Sequence, residues 1–177
     1  MAGEAFQINA KHAARRAMGD VRIGDRVVTL RDGAFAARDW GRGVWPYQTR
    51  WNWACASGLV AGRPVGVNLG GQWTDGAFVT ENALTIDGRL HVISDDLDWT
   101  YDRGDFEKPW RIRDRRGRVD VRVTPFWSIE RRANAVALGS ALHLVWGHFT
   151  GFVEADDGAR VELDGLLGWA EEHVARW

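Results

Sequence analysis

Short runs in which apolar and polar residues alternate, separated by turn signals, make up most of the chain. Between positions 119 and 124, three valines alternate with Asp120, Arg122 and Thr124, which is the pattern of a strand with one buried face. Turn signals such as Gly24-Asp25 and Asp87-Gly88 recur at the intervals of a meander or barrel. The rhythm of a parallel α/β fold is absent. The pattern therefore predicts an all-β fold, built as an antiparallel barrel or a strongly curved sheet.

One run, residues 141–153, differs because it is apolar on both faces. Such a run is typical of a strand that is covered on both sides. We expect a central or strongly curved strand here, with Gly147 and Gly151 allowing the bend. The two predicted faces contain Leu142, Leu144 and Trp146 on one side and Val145, Phe149 and Val153 on the other.

The two ends of the chain differ from its middle. Residues 1–20 show no sustained apolar face, so we expect an irregular or edge segment there. Residues 21–177 are predicted to form a single β domain, because no linker or internal repeat divides them. Within this domain, residues 21–30 predict a hairpin, and residues 169–177 predict a short carboxy-terminal helix.

Aromatic residues are concentrated between positions 39 and 53, where four tryptophans, a tyrosine, a carboxylate and two arginines occur in fifteen residues. Large rings must be buried or stacked, and their polar neighbours need partners. This mixture indicates the wall of a pocket. Further along the chain, Asn68-Leu-Gly-Gly-Gln-Trp73 offers glycines that let backbone approach a ligand, although a bulge or strand corner is the favoured interpretation. The candidate ligand-binding residues are Trp40, Trp45, Tyr47, Trp51, Trp53, Asn68, Trp73 and Asn82.

Composition narrows the class of partner. The 177 residues carry a formal net charge of −1, which argues against nucleic acid as a partner because duplex binding usually shows a basic face. No apolar run approaches the ~18 residues that span a bilayer. The single cysteine, Cys55, excludes an internal disulfide and fits a reducing compartment, so we expect a cytoplasmic protein. A buried structural thiol is favoured over a nucleophile, because no histidine is close in sequence to activate it.

Several ordered motifs are together far more specific than any one of them. They are Asp39-Trp-Gly-Arg-Gly-Val-Trp-Pro-Tyr47, Trp51-Asn-Trp53, Asn68-Leu-Gly-Gly71, Thr80-Glu-Asn-Ala83, Pro109-Trp110 and Gly165-Leu-Leu-Gly-Trp-Ala-Glu-Glu-His173. The set resembles the bacterial and fungal family called domain of unknown function 2804. The resemblance runs from about Phe6 to Trp177 and implies a lipocalin-like β-barrel of the calycin group, distantly similar to carotenoid hydratase-type proteins in which two barrels pack together.

The same resemblance bears on the extent of the chain. Members of this family are longer and carry a further amino-terminal half, so the chain is expected to correspond to their carboxy-terminal half. If a pocket lies between two halves, a second chain could complete it, and a homodimer is then one possible assembly. The family's activity is not established, so the resemblance assigns no reaction.

Two carboxylates are the candidate catalytic groups. Asp39, with Arg42 nearby, and Glu81, with Asn82 beside it, each lie in a dense run of Trp, Gly and amide residues. Burial there would raise the pKa of a carboxyl toward that of a general acid, and tryptophan faces would stabilise a developing cation. The alternative is structural: an Asp39–Arg42 ion pair, or a pair between Glu81 and an arginine, would close the barrel wall.

Metal and cofactor signals are weak. His143 and His148 are five apart on a predicted strand, which places them on opposite faces and prevents chelation by the pair. The acidic residues 95–98 lack the glycine and distal glutamate of a calcium loop, so a solvated sheet face is favoured. The glycines after Asn68 are followed by neither the Lys-Ser/Thr pair nor the helix of a nucleotide loop. We expect no metal and no cofactor.

Three functions stay open at this level. The first is a binding module that holds an apolar or amphipathic small molecule in a tryptophan-lined pocket. The second is a cofactor-independent hydratase, isomerase or cyclase that uses Asp39 or Glu81 as the acid and Arg42 or Asn82 for orientation. In the third, the tryptophans fill a core and the surface serves assembly.

Overall fold

A computed structural model describes residues 6–77 and 79–177 of the chain, and strands are the only regular elements in this part. The predicted all-β, antiparallel and curved architecture is confirmed. No helix that could span a bilayer occurs among these residues. The strands are β1 (Phe6–Arg16), β2 (Gly19–Ile23), β3 (Arg26–Leu30), β4 (Phe35–Val44), β5 (Gln48–Val60), β6 (Arg63–Gly71), β7 (Ala83–Ile86), β8 (Arg89–Val92), β9 (Leu97–Thr100), β10 (Trp110–Asp114), β11 (Val119–Asn134), β12 (Gly139–Glu154), β13 (Arg160–Glu162) and β14 (Leu166–Arg176).

Ten strands form one antiparallel sheet that curls into a half-barrel. Their order is β8-β7-β6-β5-β14-β12-β11-β10-β9, with β13 paired to β12 beside this path. Most neighbours in space are therefore neighbours in sequence, as expected for a meander of hairpins. The chain passes directly from β8 to β9, yet these two strands form opposite edges of the sheet, while β5 pairs with the last strand, β14.

The prediction for residues 141–153 is confirmed. They lie in β12, which pairs with β11 on one side and with β14 on the other. Gly151 adopts a φ of 95°, which favours glycine. At Gly147 a Cβ atom would lie 2.9 Å from Val123 Cγ1, so the neighbouring strand requires a glycine there.

The predicted helix at residues 169–177 is wrong, because this segment lies in β14. β14 is covered by backbone partners on both sides, β5 and β12, and Ala170 and Glu172 are buried on one face while Glu171 is buried on the other. A strand buried on both faces loses the apolar–polar alternation that identifies strands in sequence. Ala and Glu residues favour helices, but here the backbone pairing with both neighbouring strands outweighs that preference.

An irregular or edge segment is expected at residues 1–20, of which residues 1–5 lie outside the described part of the chain and residues 6–16 form β1. β1 pairs with β4 in a separate two-stranded ribbon, and a bulge interrupts the pairing between His12 and Arg15. The side chains of Phe6, Ile8 and Trp40 on this ribbon face solvent. They therefore form no buried apolar face that alternation in the sequence could indicate. The hairpin predicted within residues 21–30 is confirmed as β2 and β3.

The hydrophobic core lies on one face of the ten-stranded sheet, which we call the inner face. Trp110 and Phe149 are fully buried there, and the Trp110 ring stacks on Tyr101 with centroids 4.1 Å apart. Ala54 and Ala56 of β5 belong to the same cluster. The smaller residues of this face are the aliphatic side chains Val65, Val67, Leu69, Leu84, Ile93, Ile112, Val119, Val121, Val123, Val145, Val153 and Leu163.

The ribbon packs on the opposite face, which we call the outer face. At the bulge, Ala13 and Ala14 approach Gly66 of β6 so closely that a Cβ atom on this glycine would lie 2.8 Å from either alanine. The Ala14 amide donates a hydrogen bond to Ser57 Oγ at 2.9 Å. Small residues thus let the two backbones meet, and the rest of the ribbon is held away from the sheet.

Candidate ligand-binding cleft

A cleft of about 280 Å³ lies between the ribbon and the outer face of β5 and β14. It is open on one side and combines indole rings with carboxyl, amide and ammonium groups. The name tryptophan cleft is used below for this site. Its aromatic lining consists of Trp45, Trp51, Trp53, Trp73 and Trp177. Its polar lining consists of Gln7, Asn9, Lys11, Asp39, Thr49, Glu81 and Glu171.

Strand alternation explains why these side chains converge. Successive residues of a strand point to opposite faces, so the odd-numbered Gln7, Asn9 and Lys11 of β1 all face the cleft. On β4 the same rule selects Asp39 and Gly41. The ribbon therefore presents polar groups to the sheet and apolar groups to solvent, which is the reverse of an ordinary covering hairpin. This inversion keeps the space below the ribbon polar and accessible.

The floor of the cleft is fixed by hydrogen bonds beneath it. Trp53 Nε1 donates to Asn68 Oδ1 at 2.8 Å, and the Asn68 amide donates to the Glu81 carbonyl at 2.7 Å. The Trp53 ring also meets Trp169 edge-on, with centroids 5.2 Å apart. These contacts hold the indole in one orientation, and they place Asn68 behind the lining.

Lys11 is the cation of the cleft, and sequence inspection missed it. Its Nζ lies 3.0 Å from Asp39 Oδ2 and 3.9 Å from Glu81 Oε2. The same atom lies 3.7 Å from the centroid of the Trp53 ring, in a cation–π contact. Only 10% of the Lys11 side chain is exposed, compared with 44% for Asp39. The ammonium group is therefore held among an indole and two carboxylates.

Glu81 is the most unusual group of the cleft. Its side chain is 9% exposed, and Oε1 accepts a hydrogen bond from Trp73 Nε1 at 3.3 Å. Oε2 is buried and accepts no hydrogen bond from the residues that the structure describes. Burial raises the pKa of this carboxyl, an effect that Lys11 opposes. Gly70 makes room for the group, since a Cβ atom there would lie 2.7 Å from Glu81 Cγ.

A second buried carboxyl, Glu171, enters the cleft from β14. Its Oε1 accepts a hydrogen bond from Trp51 Nε1 at 3.0 Å. Burial raises its pKa, and the charge of Lys11 lowers it. The sequence predicts a helix for residues 169–177, in which adjacent glutamates would both be solvated. It therefore does not indicate Glu171 as a residue of the site. In the strand, Glu171 and Glu172 point to opposite faces.

Five of the residues predicted for the site do not line the cleft: Asn68 and Asn82 lie behind its lining, and three others point elsewhere. Arg42 and Trp40 project from the other face of β4, so Asp39 pairs with Lys11 and not with Arg42. Tyr47 is exposed, and its hydroxyl donates to the Ala137 carbonyl at 2.8 Å.

Asn82 has a structural role next to the cleft. Its Oδ1 accepts a hydrogen bond from the Gly70 amide at 2.6 Å, and its Nδ2 donates to the Asp95 carbonyl at 3.1 Å. Both bonds are buried or nearly so. Asn82 thereby fixes the backbone on either side of Glu81 and does not face the open space.

Among the described residues, the geometry supports neither a cysteine nucleophile nor a metal site. Cys55 is buried, and burial raises the pKa of its thiol to about 12, so the reactive thiolate is absent near neutral pH. His143 stacks on Phe106 at a centroid distance of 4.0 Å, whereas His148 contacts Phe126 on the other face of β12. Within residues 6–77 and 79–177, no three His, Cys, Asp or Glu side chains are grouped as metal ligands.

A separate polar cluster lies at the inner face. Tyr101 donates a hydrogen bond to Glu172 Oε2, and Arg103 Nη2 lies 2.7 Å from the same oxygen. Asn52 donates from Nδ2 to the Tyr101 hydroxyl at 3.1 Å. Two protein groups thus bind Oε2 of Glu172, in contrast to Oε2 of Glu81.

The family model described as Domain of unknown function (DUF2804) matches residues 1–177. No curated protein and no solved structure matches the chain.

Proposed function

The chain belongs to the DUF2804 family, whose description names no activity, and we propose that it binds an apolar or amphipathic small molecule in the tryptophan cleft. The observation that carries this proposal is the convergence of five indoles on one concave space of the outer face, whereas the hydrophobic core lies on the inner face. Small-molecule sites are typically concave and aromatic, with a few fixed polar groups. The cleft has this composition, and the polar inner face of the ribbon keeps it from closing as a core.

The order of the strands supports a lipocalin-like relationship as part of this proposal. From β5 to β14 the strands follow one another as a meander, and the first pairs with the last, as in an up-and-down barrel. The sheet is open between β8 and β9 only. In such barrels the ligand commonly lies inside, whereas here the inner face carries the hydrophobic core and the proposed site lies on the outer face.

Retention of a hydrophobic ligand tests the binding proposal. Native mass spectrometry of the freshly purified protein should show a mass excess over the denatured chain, and it also reports whether the chain is a monomer or a dimer. Binding of the neutral dye N-phenyl-1-naphthylamine, followed by its fluorescence, should fall at least about tenfold in Trp53→Ala because a floor of the site is removed.

The control for this experiment is Trp40→Ala. Trp40 is a tryptophan of β4 in the ribbon, and it faces solvent on the side of that strand away from the cleft. This variant should bind the dye as the unmodified protein does. Equal dye binding by all three proteins, together with no retained molecule, would contradict a ligand site in the cleft.

A cofactor-independent hydratase, isomerase or cyclase is a second candidate, and the buried carboxyl of Glu81 favours it. A carboxyl with a raised pKa can donate a proton near neutral pH, and the surrounding indoles can stabilise a carbocation. Asp39 is less suited because it is more exposed and is paired with Lys11. Under this alternative, Glu81→Gln should retain ligand but abolish its conversion, as measured by chromatography of the extracted ligand.

A further inference from the structure

We propose that the head group of the ligand is a protonated amine, bound by the carboxylates of Glu81 and Glu171 against the indoles of the tryptophan cleft. This inference rests on the proposed binding function and specifies the class of ligand. The apolar part of such a molecule would contact the remaining tryptophans. The selected ligand is then a cationic amphipathic molecule and not a fatty acid or a neutral hydrocarbon.

The first argument is the imbalance of charge. Among the residues that line the cleft, Lys11 is the one basic side chain, whereas Asp39, Glu81 and Glu171 are acidic. Lys11 Nζ lies closest to Asp39 Oδ2, at 3.0 Å, so the positive charge of Lys11 is balanced by Asp39. Glu81 keeps only a distant contact with Lys11, at 3.9 Å. Within the described residues, the Glu171 carboxyl is bound by the Trp51 ring nitrogen and by no cation. Two carboxyls therefore lack a close cation.

The second argument is the orphan oxygen of Glu81. Oε2 is buried without a hydrogen bond from the residues that the structure describes, 3.9 Å from Lys11 Nζ, in a side chain that is nine-tenths buried and lines the cleft. Leaving a buried acceptor unpaired destabilises the protein, and the penalty is larger when the acceptor is charged. A ligand with an N–H donor removes this cost. A hydrocarbon would leave the oxygen unpaired, and a carboxylate ligand would bring a third like charge near it.

The third argument is that the cleft already holds an ammonium group. Lys11 Nζ lies over the Trp53 ring and beside two carboxylates, which is the environment that a bound amine would need. The rings of Trp51 and Trp73 each donate their Nε1 to one of the two proposed carboxylates, so they lie next to the proposed cation site.

Because amine binding and the protonation of the carboxyls are linked, the affinity for an amine should depend on pH. Burial raises the pKa of both Glu81 and Glu171, and the charged groups facing them are Lys11 on β1, Asp39 on β4 and, for Glu171, Glu81 itself. A bound cation favours the ionised carboxylates. Affinity for an amine should therefore rise with pH through the raised pKa range, while the amine itself stays protonated up to about pH 9. Protons should be released to the buffer on binding.

Isothermal titration calorimetry with matched probes tests the head group. We would titrate 2-phenylethylammonium, 2-phenylethanol and phenylacetate at neutral pH, and hexylammonium, hexanol and hexanoate as an aliphatic series. Both ammonium probes should bind at least about tenfold more tightly than the alcohols, as expected for a charge-assisted hydrogen bond. Both carboxylates should bind most weakly.

Variants separate the site from general surface charge. Glu81→Gln should weaken the ammonium probes about tenfold and leave the alcohols unchanged. Glu171→Gln is the second variant, should the first fail to fold. Glu162→Gln, an exposed carboxylate on β13, is the matched control and should leave all affinities unchanged.

Each contrary result has a distinct meaning. Equal affinity for the three head groups, lost together in Trp53→Ala, would overturn the amine inference and leave the binding function standing. Preference for the carboxylates would overturn it as well, because Lys11 would then be the anchor. Absence of binding by every probe, in a protein that retains no molecule, would overturn both the inference and the binding function.

Discussion

The two faces of β5 contain different kinds of residue although they belong to one strand. Ala54 and Ala56 point to the inner face and are completely buried in the hydrophobic cluster. Trp51 and Trp53 point to the outer face, where their ring nitrogens bind Glu171 and Asn68. The inner face has small residues beneath a filled core, and the outer face has large residues around a space. Stability and recognition are thereby assigned to opposite sides of the same backbone.

A bulge in β11 extends this division across the sheet. The pairing with β12 shifts between Pro125 and Trp127, so the alternation changes side at Phe126. Before the bulge, Val123 is buried on the inner face. After it, Trp127 pairs with Trp146, which lies on the outer face beside Trp169. Without the extra residue, Trp127 would point toward the core.

The largest effect is expected from a substitution on the inner face. Phe149→Ala removes a fully buried ring from the central strand β12, and we expect the free energy of unfolding to fall by about 3–5 kcal/mol. Urea denaturation measures this loss. Affinity for the ammonium probes, measured where the variant is still folded, should not change. A loss below about 1 kcal/mol would contradict the view that the inner face carries the stability.

A middle-sized effect is expected where the sheet supports the cleft. Gly70→Ala places a methyl group against Glu81, and overpacking of this kind typically costs about 1–3 kcal/mol. Because the carboxyl must move, affinity for the ammonium probes should also fall. Thermal unfolding and calorimetry measure the two losses.

The double variant Gly70→Ala/Glu81→Ala is the check on that explanation. It should recover much of the stability lost in Gly70→Ala, since the clashing side chain is gone. Additive losses in the double variant would show that the glycine is needed for another reason.

The sequence predicts the inner face well because that face obeys simple alternation. Val119, Val121 and Val123 alternate with charged residues, and all three are buried as expected. Hairpin turns such as Asp87-Gly88, with Gly88 at a φ of 80°, are equally visible. Local rules suffice here because one face is dry and the other is wet.

The outer site could be predicted only in part. The dense run at residues 39–53 drew attention to Trp51 and Trp53, but Lys11 and Glu171 were missed. Lys11 lies on a ribbon whose apolar side chains face solvent, and Glu171 lies on a strand buried on both faces. Both segments violate the binary pattern by which strands are recognised. Their partners are distant in sequence, so no local signal indicates them.

The smallest expected effect is the pH dependence of the free energy of unfolding. It is also the effect that distinguishes the two faces most clearly. A carboxyl whose pKa is raised by folding binds more protons in the folded than in the unfolded state between the two pKa values. Glu81 starts from an ordinary value of 4.5 and is raised, so its contribution to stability is complete below that value and declines as pH increases through the folded pKa. The decline should be smaller than the packing losses above.

Glu81→Gln removes this titration and should flatten the fall in stability above about pH 4.5, as measured by urea denaturation at several pH values. The variant should therefore be at least as stable as the unmodified protein near neutral pH, even though it binds the ammonium probes less well. Glu172→Gln on the inner face is the contrast. Because Arg103 and Tyr101 engage that carboxylate, its loss should reduce stability and leave the affinity of the cleft unchanged. If the two variants behaved alike, both glutamates would be structural. The assignment of ligand binding to the outer face and of stability to the inner face would then be wrong for these two residues.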